Sequence, residues 1–402
     1  MERYIKSLIS SYIAKPEKTY LDAIDDKLLY LLFKKEVAQL CGPKTKKSIE
    51  LGRLCDKYLG YNSIIHKAIS PAGRYAQDGV FSNIFSEPSR LVILLTHKCQ
   101  LRCAYCRVRK FSKTMTRDTL KKAVRLLFTS QKQEIQLQFF GGEPLLRFDL
   151  IKEAVSYAEE MNKEKKKDLT FILTTNGLAL NADKIRYLRG HNFLVECSLD
   201  GPSHSQLASR GALDNKDYFK RVIKNYKMLI STEIPHYAIS VISPGNIAEL
   251  GPNLKYLMNT GFKSIQLNYA LGVYWPDPAM DALFKETAAL TGELRRNGVQ
   301  FINLTRARRE PAILNAEISV DTDGGLFWEY GICLEEDFFE MKKKFYIGDI
   351  KRVRGLVGLS TTPFQNFHKL MRVYGARNKK FSKIILNNIF LGFTYERFLK
   401  GL

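Results

Sequence analysis

The stretch Leu91-Val92-Ile93-Leu94-Leu95-Thr96-His97-Lys98-Cys99-Gln100-Leu101-Arg102-Cys103-Ala104-Tyr105-Cys106 decides the fold. Its first six residues are a short, almost continuously apolar run, the pattern of a strand buried on both faces in a parallel sheet. Three cysteines follow directly, spaced C-x-x-x-C-x-x-C, so three thiols sit in the loop at a strand's C-terminal end. In barrels and open sheets of parallel strands, that end carries the chemistry. Three soft ligands suit an iron-sulfur cluster or zinc, and a missing fourth leaves one metal position open for a substrate or cofactor. Zinc with His97 as fourth ligand is the competing reading, although structural zinc sites favour a second ligand pair that this chain lacks.

Downstream, the same strand-then-loop pattern repeats. Residues 134–140 read as a second strand running into Gly141-Gly142-Glu143-Pro144, where two glycines let the backbone approach a ligand and Glu143 can accept from an ammonium. Residues 169–173 read as a third strand ending in Thr174-Thr175-Asn176-Gly177, and residues 193–197 as a fourth ending in Ser198-Leu199-Asp200-Gly201-Pro202. Residues 237–242 and 264–269 read as strands five and six, separated by helical patterns around residues 221–229 and 247–258. Six strand-helix repeats predict an α/β fold, a partial (β/α)6 TIM-type barrel, open on one side for a large substrate. Cys197 alternates with Ser198 and reads as core packing, and Cys41 and Cys55 read as small buried hydrophobes.

The cysteine loop, with Tyr105 before its last cysteine, resembles the signature of the radical S-adenosylmethionine (SAM) superfamily. The resemblance implies one 4Fe-4S cluster held by Cys99, Cys103 and Cys106, whose fourth iron is chelated by the amino and carboxylate groups of SAM. Reduction of the cluster would then cleave SAM to methionine and a 5′-deoxyadenosyl radical that abstracts hydrogen from the substrate. Gly141, Gly142, Glu143 and Pro144, some 35 residues past the cysteines, match the family's motif for the SAM amino group. By the same resemblance Thr174, Asn176, Ser198 and Asp200 contact SAM or shape the substrate side. His204 and Arg210 loosely match a histidine and an arginine that follow in related enzymes. An electron donor such as flavodoxin or ferredoxin is implied as well.

Three segments are expected: a helical cap over 1–85, the barrel over 86–300, and an extension over 301–402. No motif in the cap distinguishes leader-peptide binding from simple cover. The extension opens on a hairpin, residues 318–329, with an Asp-Gly-Gly turn, followed by residues 345–350 as a further strand. This resembles the SPASM extension of peptide-modifying radical SAM enzymes, in particular the anaerobic sulfatase-maturating enzymes. In those extensions cysteines bind auxiliary clusters, but here Glu329 stands where the first is expected and only Cys333 follows. One thiolate cannot hold a four-iron cluster, so the scaffold is expected without its auxiliary cluster.

The 402 residues carry 63 Lys and Arg against 41 Asp and Glu, a net charge of +22 that attracts nucleic acid, acidic peptides or anionic lipid. From residue 351 onward eleven basic residues face one acid, Glu396, with aromatic and aliphatic residues interleaved. Such a basic amphipathic tail packs on its own protein, binds an acidic partner or makes peripheral membrane contact. No apolar run approaches the ~20 residues of a membrane span, and Met1-Glu2-Arg3-Tyr4 lacks the plan of a signal peptide, so a cytoplasmic protein is expected. The leading reading is an enzyme that modifies a side chain of a peptide or protein. RNA as substrate is the second reading, carried by charge alone. A non-catalytic iron-sulfur redox sensor is the third, and the intact Gly141-Gly142-Glu143 argues against it. Cys333, Tyr269 and Tyr274 are oxidisable residues able to quench a product radical.

Overall fold

The computed structural model describes residues 88–106, 108–212, 218–305, 312–314, 317–329, 342–359, 366, 369–370, 373–374 and 379–402. The expected cap, Cys41, Cys55, Cys333 and the Glu329 side chain lie outside the described residues. The chain divides into two compact units. One comprises Phe85–Arg308, Ala316–Ser360 and Tyr395–Leu402 and contains the whole sheet. The other comprises Met1–Ile84, Arg309–Asn315 and Thr361–Thr394.

In chain order the sheet unit runs β1 (Arg90–Thr96), β2 (Leu101–Cys103), α1 (Arg117–Leu127), β3 (Glu134–Gly141), α2 (Phe148–Lys165), β4 (Asp168–Thr175), α3 (Ala182–Arg189) and β5 (Phe193–Ser198). It continues through α4 (Ser203–Ser209), β6 (Arg210–Ala212), α5 (Tyr218–Ile230), β7 (His236–Ile242), α6 (Leu250–Thr260), β8 (Ser264–Tyr269), α7 (Asp277–Arg296), β9 (Gln300–Phe301) and α8 (Ile302–Thr305). The strands β10 (Glu317–Val320), β11 (Gly325–Glu329) and β12 (Tyr346–Asp349) complete it. Ten strands form one sheet in the order β12-β11-β10-β1-β3-β4-β5-β7-β8-β9. The six strands β1, β3, β4, β5, β7 and β8 are mutually parallel neighbours, as a partial (β/α)6 barrel requires. On the far side of β1 lies β10, also parallel, so the hairpin of the extension is hydrogen-bonded into the core sheet.

Local signals explain the helices. Thr116 caps α1 by accepting from Thr119 N, and Leu120, Ala123, Val124 and Leu127 make its buried stripe. Asn181 caps α3 in the same way through Lys184 N. On one face of the sheet Ile135, Leu137, Phe139, Phe171, Leu173, Phe193 and Val195 are almost wholly buried. The rings of Phe139, Phe171 and Phe193 pack at centroid separations of 5.3 to 6.2 Å, each contributing about 2 to 3 kcal/mol by burial. The opposite face is more polar: Gln136, Thr170, Thr174, Ser198, Gln266 and Asn268 are half-buried there, and Gln138, Glu196 and Tyr237 are buried. A long helix, α9 (Lys379–Leu399), ends the chain with Ile384, Ile385, Ile389, Leu391, Tyr395 and Leu399 buried. Among the described residues no helix is long and apolar enough to cross a membrane.

Candidate active site

The cysteine loop is closed at its base. His97 N and Thr96 Oγ1 both donate to Lys113 O, at 3.0 and 2.9 Å, and Met115 N donates to Leu95 O. Inside it β2 pairs antiparallel with β6, setting Cys103 opposite Arg210, and Ala104 N donates to Ser209 O. Cys99 and Cys103 are half-buried and Cys106 is exposed; none of the three is in a disulfide.

The end of β3 lies directly against this base. Gly142 N donates to Thr96 O at 2.7 Å and Glu143 N to Lys98 O at 2.8 Å. A Cβ on Gly142 would stand 2.1 Å from Lys98 O, and one on Gly141, at φ +132°, 2.5 Å from Thr96 O. The atoms for which the glycine pair makes room are thus backbone atoms of the cysteine loop. Pro144 then opens a short 3-10 turn capped by Glu143, with Pro144 and Leu145 buried.

Glu143 is buried, and its carboxylate accepts from Leu145 N, Thr175 Oγ1 and Asn176 N at 3.1, 2.8 and 2.9 Å. Burial pushes its pKa up, and these three donors draw it back in part. A carboxylate has about four acceptor positions, so one remains on Oε2. Asn176 Nδ2 lies 3.6 Å from Cys99 Sγ, so one residue joins the carboxylate to the cysteine loop.

Asp200 is also buried, but every acceptor position is filled. Arg210 Nη2 and Val241 N donate to Oδ1, and the hydroxyls of Tyr105 and Ser209 donate to Oδ2. The Arg210 guanidinium stands over the Tyr105 ring, 5.2 Å from its centroid. Tyr105, Asp200 and Arg210 therefore form one buried cluster that braces the cysteine loop from β5 and β6. Ser198 is half-buried at the end of β5, while Cys197, on the other face, is in the core. Thr174 donates to Glu196 Oε2 at 2.6 Å, and the neighbouring Thr175 reaches Glu143. His204 pairs with Glu249 on the surface.

His97 has both ring nitrogens engaged, Nε2 with Asp321 Oδ1 at 2.6 Å and Nδ1 with Arg109 O at 3.0 Å, and it stacks on Phe111. It is thereby committed to a contact with the hairpin rather than to a metal. Among the described residues no three His, Cys, Asp or Glu side chains converge as around a single ion. The three thiols nonetheless share one loop, Cys99 to Cys106, and cysteines that bind separate irons of a polynuclear cluster need not converge on one ion as zinc ligands do. Burial pushes the Cys99 thiol up, with Lys110 opposing, and pushes Cys103 up to about 11, with Arg210 opposing. Metal binding must therefore displace protons from these thiols. Lys110 Nζ donates to Cys106 Sγ at 2.9 Å.

Sequence reasoning did not single out Thr175, Ser209 or the pairing of His97 with Asp321. It also passed over Glu196, although a carboxylate inside the otherwise apolar Phe193-Leu194-Val195-Glu196-Cys197 was the available signal.

Residues 93–250 match the family model of the radical SAM superfamily, and the chain carries a radical SAM domain. Domains of this class work with a 4Fe-4S cluster and SAM, and the donor set fits both: three thiols on one loop, and a buried carboxylate with one acceptor position left. An uncharacterized protein of Methanocaldococcus jannaschii is 31% identical over 182 residues, 44% of this chain and 61% of that protein. A cysteine-type anaerobic sulfatase-maturating enzyme of Clostridium novyi is 25% identical over 188 residues, 44% of this chain and 50% of that enzyme. The chain thus spans between half and about three-fifths of the length of these relatives. The solved structure of native anSMEcpe with bound AdoMet and the Cp18Cys peptide shares the fold, with a TM-score of 0.57 at 18% identity, covering 66% of this chain and 78% of that one.

Proposed function

We propose that the chain is a radical SAM enzyme that modifies a side chain of a peptide or protein. One observation carries the catalytic part: Asn176 joins Glu143, after β3, to Cys99, after β1, so three successive strand ends meet at one place. The cluster and SAM together supply a carbon-centred radical able to abstract hydrogen. This chain's residues divide the remaining work. Cys99, Cys103 and Cys106 hold the metal, Glu143 accepts from the SAM amino group, and the cluster of Tyr105, Asp200 and Arg210 keeps the loop in place. The peptide substrate is supported by the likeness to a sulfatase-maturating enzyme and by the peptide present in the solved structure of the same fold. Around the loop Lys98, Arg102 and Arg109 are exposed, a basic surface suited to an acidic electron donor of the flavodoxin or ferredoxin kind.

The test is anaerobic reconstitution with iron and sulfide, counting iron per chain and assaying 5′-deoxyadenosine formed from SAM with dithionite. About four irons with cleavage is the expected result. About eight would reveal an auxiliary site, and about four without cleavage would favour the redox sensor. Addition of peptides should raise the 5′-deoxyadenosine yield, and indifference to every peptide offered would argue against the substrate class.

A further inference from the structure

On the more polar face of the sheet, below the strand ends just described, four polar side chains from four adjacent strands meet. They are Gln138 on β3, Thr174 on β4, Glu196 on β5 and Tyr237 on β7. Register places them on one face, because Thr174 pairs with Glu196 and Glu196 with Tyr237. Gln138 Nε2 donates to Thr174 Oγ1 and to Glu196 Oε2 at 2.9 and 3.2 Å. Thr174 Oγ1 donates to Glu196 Oε2 at 2.6 Å, and the Tyr237 hydroxyl donates to Oε1 at 2.5 Å.

One acceptor of this group lacks any hydrogen-bond partner, and its one carboxylate, though hydrogen-bonded, lacks a cationic partner among the described residues. Gln138 is 6% exposed, and its Oε1 is buried without a hydrogen-bond partner. Turning the amide over would not mend this, since it would set oxygen against the carboxylate and Thr174. Glu196 is 7% exposed, and among the described residues no lysine, arginine or histidine forms an ion pair with it. Among the described residues one hydroxyl donates to Glu196 Oε1, which leaves an acceptor position there. In a chain with 63 Lys and Arg, a buried carboxylate without a basic partner is an exception to the rule that buried charge is paired. Both deficits have the same sign: acceptors, one of them a carboxylate, with no N–H donor from a cation to meet them.

We infer that Gln138 and Glu196 form a substrate-recognition subsite for a cationic N–H donor, an alkylammonium or guanidinium such as a lysine or arginine side chain provides. Thr174 and Tyr237 position the carboxylate. This rests on the proposed peptide-modifying function, and it adds the class of group that the substrate presents. A neutral aliphatic side chain is disfavoured there, because it leaves Gln138 Oε1 unpaired and the last acceptor position of Glu196 unfilled.

The test is anaerobic equilibrium dialysis of the iron-reconstituted full chain with N-acetyl-lysine amide, N-acetyl-arginine amide and the neutral N-acetyl-norleucine amide. The better of the two cationic probes is expected to be retained about tenfold more tightly than norleucine amide, and Glu196→Gln should bring that ratio close to one. Equal retention by the wild-type chain overturns the proposal, as does a preference that survives Glu196→Gln. Should Glu196→Gln fail to fold, hydrogen exchange of the wild-type chain decides. A cationic probe must slow the amides of β4 and β5 where norleucine amide does not, and no difference overturns the proposal. None of these readouts needs SAM cleavage, so failure here is distinguishable from failure of the radical SAM reading, which 5′-deoxyadenosine formation reports.

Discussion

Gly142 has no room for a methyl group: its Cβ would stand 2.1 Å from a backbone oxygen that cannot rotate away. Gly142→Ala is therefore expected to lower stability by about 2 to 3 kcal/mol, read by thermal unfolding, and to lower iron retention, because the displaced atom belongs to the cysteine loop. An unchanged melting temperature would show that the two segments are not held as described. Cys103→Ala is expected to act differently, leaving the fold melting near the wild-type temperature but abolishing both stable iron binding and 5′-deoxyadenosine formation. Full cleavage activity in that variant would refute the ligand assignment. The glycine pair and the cysteines were both legible in the sequence, since each is a local pattern. What Gly142 approaches was not legible, because Lys98 reaches it only through the pairing of β1 with β3.

At the level of elements, the hairpin of β10 and β11 is fastened to the cysteine loop through Asp321. This carboxylate accepts from His97 Nε2 at 2.6 Å, from Lys342 Nζ at 3.1 Å and from Thr322 N. Burial alone would raise its pKa, but the His97 hydrogen bond and the Lys342 charge outweigh burial and hold it well below the ordinary value of 3.8. A carboxyl depressed in the folded state contributes stability above its ordinary pKa and loses it as pH falls below that value. Asp321→Asn is thus expected to cost about 3 kcal/mol near neutral pH, and the gap between variant and wild type should shrink as pH drops below 3.8. Denaturant unfolding at pH 7 and in the acid range measures both, and a gap that does not depend on pH would remove the charge from the explanation. The six parallel strands, the hairpin and its Asp-Gly-Gly turn follow from apolar runs and turn residues. The short ladder of β2 with β6 and the parallel pairing of β10 with β1 do not, since both join segments more than a hundred residues apart.

For the molecule as a whole, a net charge of +22 draws polyanions regardless of function. RNA binding, where it is seen, is expected to fall steeply between 50 and 200 mM salt, as counterion release dictates, and to leave the yield of 5′-deoxyadenosine unchanged. An RNA-dependent rise in that yield, assayed at the higher salt, would move the substrate class from peptide to RNA. The charge is not uniform in effect, because Asp200, Glu143 and Glu196 are carboxylates buried in the basic chain. Asp200 is matched by Arg210, whereas Glu143 and Glu196 each keep an acceptor position.

The sequence by itself determined the strand-helix repeats, the three thiols at the end of β1 and the acidic residue after β3. Each is written in a few adjacent residues, through alternation, capping and spacing. Only the tertiary structure decided which partners those residues take. Asp200, read as a ligand, has its acceptors filled by Tyr105, Ser209, Arg210 and Val241; His97, weighed as a metal ligand, is held by Asp321; and Glu196, unremarked in its strand, lies among Gln138, Thr174 and Tyr237. The physical reason is the range of the forces involved. Backbone pattern is set by near neighbours, whereas the satisfaction of a buried polar group depends on donors that the sheet order brings together from distant parts of the chain.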